Sequence, residues 1–257
     1  MLFRSTGIIS FRNSLGIILG SNVGTTITAQ LALINSTVLP YILIILGFLL
    51  NFIHKRGKIV AKPIFFLGVI LFSLSLLSSN ITPLKNDPDI IAIFSYLSNP
   101  LLAYFVGMVI TAIVHSRSIV SGILVILAQT GIVPIEVTIP MILGANVGSS
   151  ATGFLAALKL NLHARRVGFS NILFNLIGSL LFMILLYPFI SVLQSLSSDP
   201  AVQTALAHFL FNITTTLLFL GFLPQLEALV IKLVKGNEEE ILLDRKSTRL
   251  NSSHRIR

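Results

Sequence analysis

The sequence predicts an all-α polytopic membrane protein. Of its 257 residues, 54% are hydrophobic and only 11% are charged, and the mean hydropathy is +0.92. A soluble domain cannot bury that much apolar surface. Several apolar runs also approach the length of about 20 residues that a membrane-spanning helix needs. Polar groups inside such helices must be satisfied by protein, by water or by a bound ion.

Polar segments divide the hydrophobic sequence into successive helices. Basic clusters at residues 54–58 and 163–166 indicate the cytoplasmic side of the membrane. Residues 80–92 form a polar outer loop, and Asn99-Pro100 predicts a bend in the following helix. The apolar segments are residues 7–34, 38–53, 63–79, 93–114, 119–127, 135–143, 168–194 and 202–223.

One seven-residue stretch occurs twice, 124 positions apart. Residues 20–26 read GSNVGTT and residues 144–150 read GANVGSS, and apolar sequence precedes both copies. Each copy therefore places two glycines, an Asn and two hydroxyls inside a hydrophobic region. Paired glycine-interrupted segments at matching places in two halves are typical of transporter binding sites. We expect the helix to be broken at both copies.

A second polar interruption lies at residues 115–118, one helical hairpin before the second copy. Its Arg117 is unusual, because a guanidinium at membrane depth costs at least ~2.5–3.5 kcal/mol on insertion scales. We expect Arg117 to face a wet cavity or a partner. The one acidic residue in the neighbouring apolar segments is Glu136, which lies near a turn.

The composition argues against several classes of function. There is no cysteine, no His-Glu-x-x-His pattern and no phosphate-cradling nucleotide loop, so we expect neither an enzyme nor a cofactor. The net charge of +9 is divided between short loops and the last fourteen residues, so we expect no nucleic-acid partner. The lipid bilayer is the expected surrounding.

The duplicated stretch resembles the Gly-Ala-Asn-Ile-Gly-Thr-Thr signature of the sodium/phosphate cotransporter family, type II, in its bacterial form. Segments 165–175 and 207–212 also match the family's pattern, and the resemblance covers roughly residues 5–235. It implies sodium-coupled phosphate uptake by alternating access across a bacterial inner membrane. It also implies two inverted repeats within a transporter domain at 1–235, the first incomplete at about 1–80 and the second at about 93–235.

The resemblance turns the polar residues into candidate ligands. Sodium prefers hydroxyl, amide and backbone oxygens, whereas phosphate needs N–H donors, hydroxyls and cations. The alternative for the two copies is that their Gly-x-x-x-Gly spacing only packs helices tightly. The candidate binding residues are Asn22, Thr25, Thr26, His115, Ser116, Arg117, Ser118, Asn146, Ser149 and Ser150. Sodium, as the coupling ion, is the only bound metal ion that we expect. Its candidate ligands are Ser116, Ser118, Thr25 and Ser149.

Residues 115–118 depart from the family pattern, which has Gln-Ser-Ser-Ser there. Gln has become His115 and the middle Ser has become Arg117. Two interpretations of Arg117 stay open: it is the phosphate's counterion, or it occupies a former cation site and abolishes sodium coupling. His115 is either a proton-linked gate or a structural residue.

The ends of the chain carry further expectations. The first repeat's counterpart of residues 115–118 would precede Met1, so we expect an N-terminal truncation. We expect the PhoU-like domain of many bacterial members to be absent from this chain. Residues 236–257 form a polar tail whose last fourteen residues we expect not to be native. Two other functions stay open, namely a symporter for another anion and a non-transporting membrane scaffold. Assembly into a homo-oligomer also stays open.

Overall fold

A computed structural model describes residues 11–34, 36–52 and 57–236. Within these ranges all regular structure is helical, which confirms the predicted all-α class. Residues 237–257 of the predicted tail and residues 54–56 of the first basic cluster lie outside the described residues. The helices are α1 Phe11–Gly24, α2 Ile27–Leu31, α3 Leu39–Leu50, α4 Gly57–Ile81, a 3-10 turn Thr82–Asn86, α5 Pro88–Tyr96, α6 Pro100–Val114, α7 Arg117–Thr130, α8 Ile135–Ala157, α9 Leu162–Ile184, α10 Leu186–Leu196, α11 Pro200–Gly221 and α12 Leu223–Leu233.

Four helical segments are long and apolar enough to cross a membrane: Lys58–Asn86, Ile135–Ala157, Leu162–Ile184 and Pro200–Gly221. The pair α5–α6 is a fifth candidate and is bent by 107° at its break. These spans make the chain a multi-pass membrane protein.

The predicted bend at Asn99-Pro100 is confirmed. The Asn99 Oδ1 accepts hydrogen bonds from the backbone N–H groups of Leu101 and Leu102, so it caps α6 where the proline begins the helix. The predicted interruption at 115–118 is also confirmed. His115 takes a left-handed conformation with φ 59°, and extended Ser116 then caps α7.

The first duplicated copy contains a break, as predicted, but a narrower one. Helix α1 continues to Gly24, and only Thr25 and Thr26 form the turn before α2. Both hydroxyls donate to carbonyls three residues earlier, from Thr25 to Asn22 at 2.8 Å and from Thr26 to Val23 at 2.7 Å. These bonds satisfy part of the backbone that the end of α1 exposes.

The prediction of a break at the second copy is wrong, because α8 runs continuously from Ile135 to Ala157. The Asn146 amide and the Ser149 and Ser150 hydroxyls donate to carbonyls one turn earlier in the same helix. Those bonds are compatible with an intact helical backbone. At the second copy the structure agrees with the alternative prediction, namely that the Gly-x-x-x-Gly spacing packs helices tightly.

The glycines of the second copy let α8 touch α6 backbone to backbone. A Cβ at Gly144 would overlap the Tyr104 carbonyl oxygen, and one at Gly148 would overlap the carbonyl of Met108. Gly107 of α6 is packed against the Met141 backbone in the same way. Small residues that admit such close approach are typical of helix contacts in membranes. The inverted relation between the two repeats stays a prediction.

The predicted span at residues 168–194 is divided in two at Leu185, between α9 and α10. Pro188 lies just inside α10, and its ring nitrogen cannot donate to the carbonyl four residues earlier. The missing bond accounts for the break.

Helices α8 and α11 form the centre of the molecule. Helix α8 packs against α6, α7, α9 and α11, and α11 in turn packs against α1, α2 and α7. A hydrogen bond of 3.0 Å between the Thr138 and Thr204 hydroxyls joins the two central helices, and both groups are fully buried. Helices α3 and α4 pack mainly on each other, and α4 joins this pair to α7.

Candidate functional site

Arg117 is held at the start of α7 by the asparagine of the second copy. Its Nη1 donates to the Asn146 Oδ1 at 3.2 Å, and the Asn146 Nδ2 donates in turn to the Ile142 carbonyl at 2.8 Å. Asn146 is completely buried, whereas Arg117 is half-buried. In the part of the chain that the structure describes, no carboxylate pairs with this guanidinium. The charge of Arg117 therefore has a neutral partner, and several of its N–H groups stay available to an anion.

Asn22, the counterpart of Asn146 in the first copy, makes a different contact. Its Nδ2 donates to the Asn171 Oδ1 of α9 at 3.2 Å, and the same oxygen accepts from the Asn175 Nδ2 at 3.2 Å. Asn22 is buried, with 1% of its surface exposed. The predicted residues thus divide into an α1–α9 group around Asn22 and an α7–α8 group around Arg117, and among the residues that the structure describes no hydrogen bond joins the two groups.

The other candidate residues lie close to these two groups. Thr25 and Thr26 follow Asn22 directly, and Ser149 and Ser150 lie one turn after Asn146. Ser116 and Ser118 flank Arg117 and are half-buried, whereas His115 is exposed. The serine and threonine oxygens keep acceptor lone pairs after donating to carbonyls. Sodium ligation by Ser116, Ser118, Thr25 and Ser149 therefore stays a prediction.

A cavity of about 220 Å³ lies elsewhere, between α3 and α4. Its lining includes Gly47, Asn51, Lys62 and Phe65, and it contains none of the predicted site residues.

Helix α11 contributes polar residues that the sequence analysis did not include among the candidates. His208, Asn212 and Thr215 are buried. Within the described ranges, four of their side-chain atoms have no hydrogen-bond partner: His208 Nδ1 and Nε2, Asn212 Oδ1 and Thr215 Oγ1. The Asn212 Nδ2 donates only within its own helix, to the His208 carbonyl at 2.8 Å. A signal was available in the sequence, because segment 207–212 matches the family's pattern and holds His208 and Asn212 one helical turn apart.

Comparison with known proteins identifies a family and several relatives that this chain resembles. The family model for the Na+/Pi-cotransporter matches residues 1–79 and 89–223. The uncharacterized protein YqeW of Bacillus subtilis is 33% identical over 223 residues, which cover 85% of this chain and 72% of YqeW. No solved structure matches the chain.

Two further relatives have functional names. The putative inorganic phosphate export protein YjbB of Salmonella typhimurium is 27% identical over 93% of this chain and 44% of its own length. The human sodium-dependent phosphate transport protein 2B is 32% identical over 40% of this chain and 16% of its own length. The chain thus spans less than half of either protein. Since the family model covers most of the sequence, and both copies of the duplicated stretch lie within it, the chain belongs to the Na+/Pi-cotransporter family.

Proposed function

We propose that the protein carries inorganic phosphate across the cytoplasmic membrane of a bacterium, coupled to sodium, by alternating access. The observation that carries this proposal is the Arg117–Asn146 pair, in which a guanidinium between two apolar helices is bound by a neutral amide. Family membership supports the proposal, as do relatives named for phosphate export and for sodium-dependent phosphate transport.

Arg117 has the properties of an anion ligand. Intramembrane basic residues are costly and usually pair with an opposite charge or face water. Asn146 contributes a dipole but no charge, so a bound phosphate would complete the pairing with a two-pronged contact. Arg117 is also the first residue of a 14-residue helix. The unpaired N–H groups and positive dipole end of α7 favour an anion at the same place.

The positive charge of Arg117 also accounts for the proposed coupling to sodium. The proposed sodium ligands Ser116 and Ser118 flank Arg117, while Thr25 and Ser149 lie beside the two signature asparagines. A cation near Arg117 is repelled until phosphate brings negative charge. Phosphate binding therefore favours sodium binding, and sodium binding favours phosphate binding. This reciprocal linkage is what a symporter needs. If Arg117 replaces a coupling cation instead, phosphate flux will not depend on sodium.

The direction of transport is set by the gradients, because an alternating-access cycle is reversible. A relative named for export and one named for sodium-dependent transport fit the same cycle. We propose uptake when sodium is more concentrated outside.

Labelled phosphate flux into proteoliposomes containing the full chain tests the proposal. We expect uptake with an inward sodium gradient, slower uptake when potassium replaces sodium, and efflux when the gradient is reversed. Arg117→Gln should abolish most of the flux, whereas Arg165→Gln, which removes an equal charge from the half-buried start of α9, should leave it unchanged.

Three results would contradict the proposal. Flux of sulfate in place of phosphate would indicate a symporter for another anion. Absence of any anion flux from the wild-type chain would favour the non-transporting scaffold. Equal phosphate flux in the wild type and in Arg117→Gln would show that Arg117 does not bind the transported anion.

A further inference from the structure

The polar face of α11 is not explained by helix packing. Buried polar atoms are nearly always hydrogen-bonded, and each exception calls for a reason. His208 has two unpaired ring nitrogens, Asn212 has one unpaired oxygen, and both side chains are completely buried. Residues 208, 212 and 215 recur at helical spacing, so they share one face of α11. No described protein group pairs with these atoms, so they are available to a bound ligand.

The same face lies beside the first signature copy. Gln30 Nε2 donates to the Ala205 carbonyl at 3.0 Å, and the Thr216 hydroxyl donates to the Leu19 carbonyl at 3.3 Å. The two contacts lie eleven positions apart in the first segment, residues 19–30, and eleven positions apart in α11, residues 205–216. The two segments therefore run antiparallel in register. Interpolation between these contacts brings Asn22 opposite residue 213, next to Asn212.

The second signature copy is near the face as well. Arg117, at the start of α7, is hydrogen-bonded to Asn146 of α8. Helix α11 also packs directly against both α7 and α8. The unpaired atoms of His208 and Asn212 thus lie between the two signature copies.

We propose that His208 and Asn212 bind the transported phosphate and select its protonated form over sulfate. This inference rests on the proposed function, and it assigns the specificity to residues outside the duplicated stretches. A neutral imidazole offers one donor and one acceptor, whereas the Asn212 Oδ1 can only accept.

The acceptor atom makes the selection. Near neutral pH, phosphate retains at least one P–O–H group that can donate to the Asn212 Oδ1, while its other oxygens accept from His208 and Arg117. Sulfate has the same shape but no hydrogen to donate. Its oxygens would face the Asn212 oxygen, leaving a buried acceptor unpaired and two lone pairs opposed. Sites built to hydrogen-bond a substrate hydroxyl reject analogues that lack it.

Equilibrium binding of labelled phosphate to the purified full chain, with sulfate as competitor, tests the inference. Asn212→Leu removes the acceptor and should weaken phosphate binding about tenfold or more, while sulfate binding changes little. Asn212→Ser introduces a hydroxyl that can donate, so sulfate should compete more effectively than in the wild type. Thr214→Ala, on the exposed side of α11, should change neither affinity.

The outcomes separate the inference from the proposed function. If the wild type binds no phosphate at any sodium concentration, the proposed function fails. If the wild type binds phosphate and both Asn212 variants keep its ratio of phosphate to sulfate affinity, only the inference fails. A change confined to the sodium concentration for half-maximal binding would assign Asn212 to the cation and would also overturn the inference.

Discussion

Gly20 and Gly144 occupy equivalent positions in the two copies, and we predict opposite effects on stability when each is changed to alanine. A Cβ at Gly144 would overlap the carbonyl oxygen of Tyr104, which is backbone and cannot rotate away. Helices α6 and α8 would have to separate, and such overpacking typically costs about 1–3 kcal/mol. A Cβ at Gly20 has no described neighbour within 4 Å beyond its own helix. Gly20→Ala should therefore stabilise α1 by about 0.5–1 kcal/mol, because alanine favours a helix over glycine.

The two variants should thus differ by about 1.5–4 kcal/mol in the free energy of unfolding. Thermal unfolding of the full chain in detergent, followed by circular dichroism, measures the difference. The wild type should fall between the two variants. Equal destabilisation by both substitutions would refute the reasoning, because it would mean that Gly20 is as tightly packed as Gly144.

Three further predictions concern individual hydrogen bonds. Tyr104→Phe removes the buried bond of 2.9 Å to the Ser179 hydroxyl and should cost about 0.5–1.5 kcal/mol in thermal unfolding without changing phosphate affinity; a large loss of affinity would contradict it. Asn99→Ala removes the cap of α6 and should cost about 1 kcal/mol in the same assay, with an unchanged unfolding midpoint as the contrary result. A double-mutant cycle between Asn22→Ala and Asn171→Ala should give a coupling energy of about 0.5–1.5 kcal/mol, and additive effects would show that their contact is not energetically significant.

Local chemistry made several breaks in the helices predictable from the sequence. Asn99-Pro100 combines a capping side chain with a residue that cannot continue a helix, and the structure bends there by 107°. His115-Ser116 interrupts an apolar run with a capping serine, and α7 begins at the next residue. In both places the determining interactions lie within a few residues of each other, so no distant neighbour is needed to predict them.

The second copy was mispredicted because its conformation depends on a distant helix. A Gly-x-x-x-Gly stretch is compatible with an unwound segment and with a tightly packed one. Contact with the Tyr104 and Met108 carbonyls decides in favour of packing, and those residues lie about 40 positions earlier in the chain. The sequence analysis noted that segment 207–212 matches the family's pattern but did not include it among the candidate residues. Only the folded chain shows that atoms of His208 and Asn212 lack partners among the described residues.

Equilibrium binding of labelled phosphate to the purified full chain and to its Arg117→Gln variant tests the central claim most directly, because it asks whether the guanidinium at the start of α7 holds the anion. A charge-assisted hydrogen bond contributes about 1.5–3 kcal/mol, so the variant should bind phosphate at least about tenfold more weakly while unfolding at a similar temperature. Unchanged phosphate affinity in a folded Arg117→Gln variant would contradict the account.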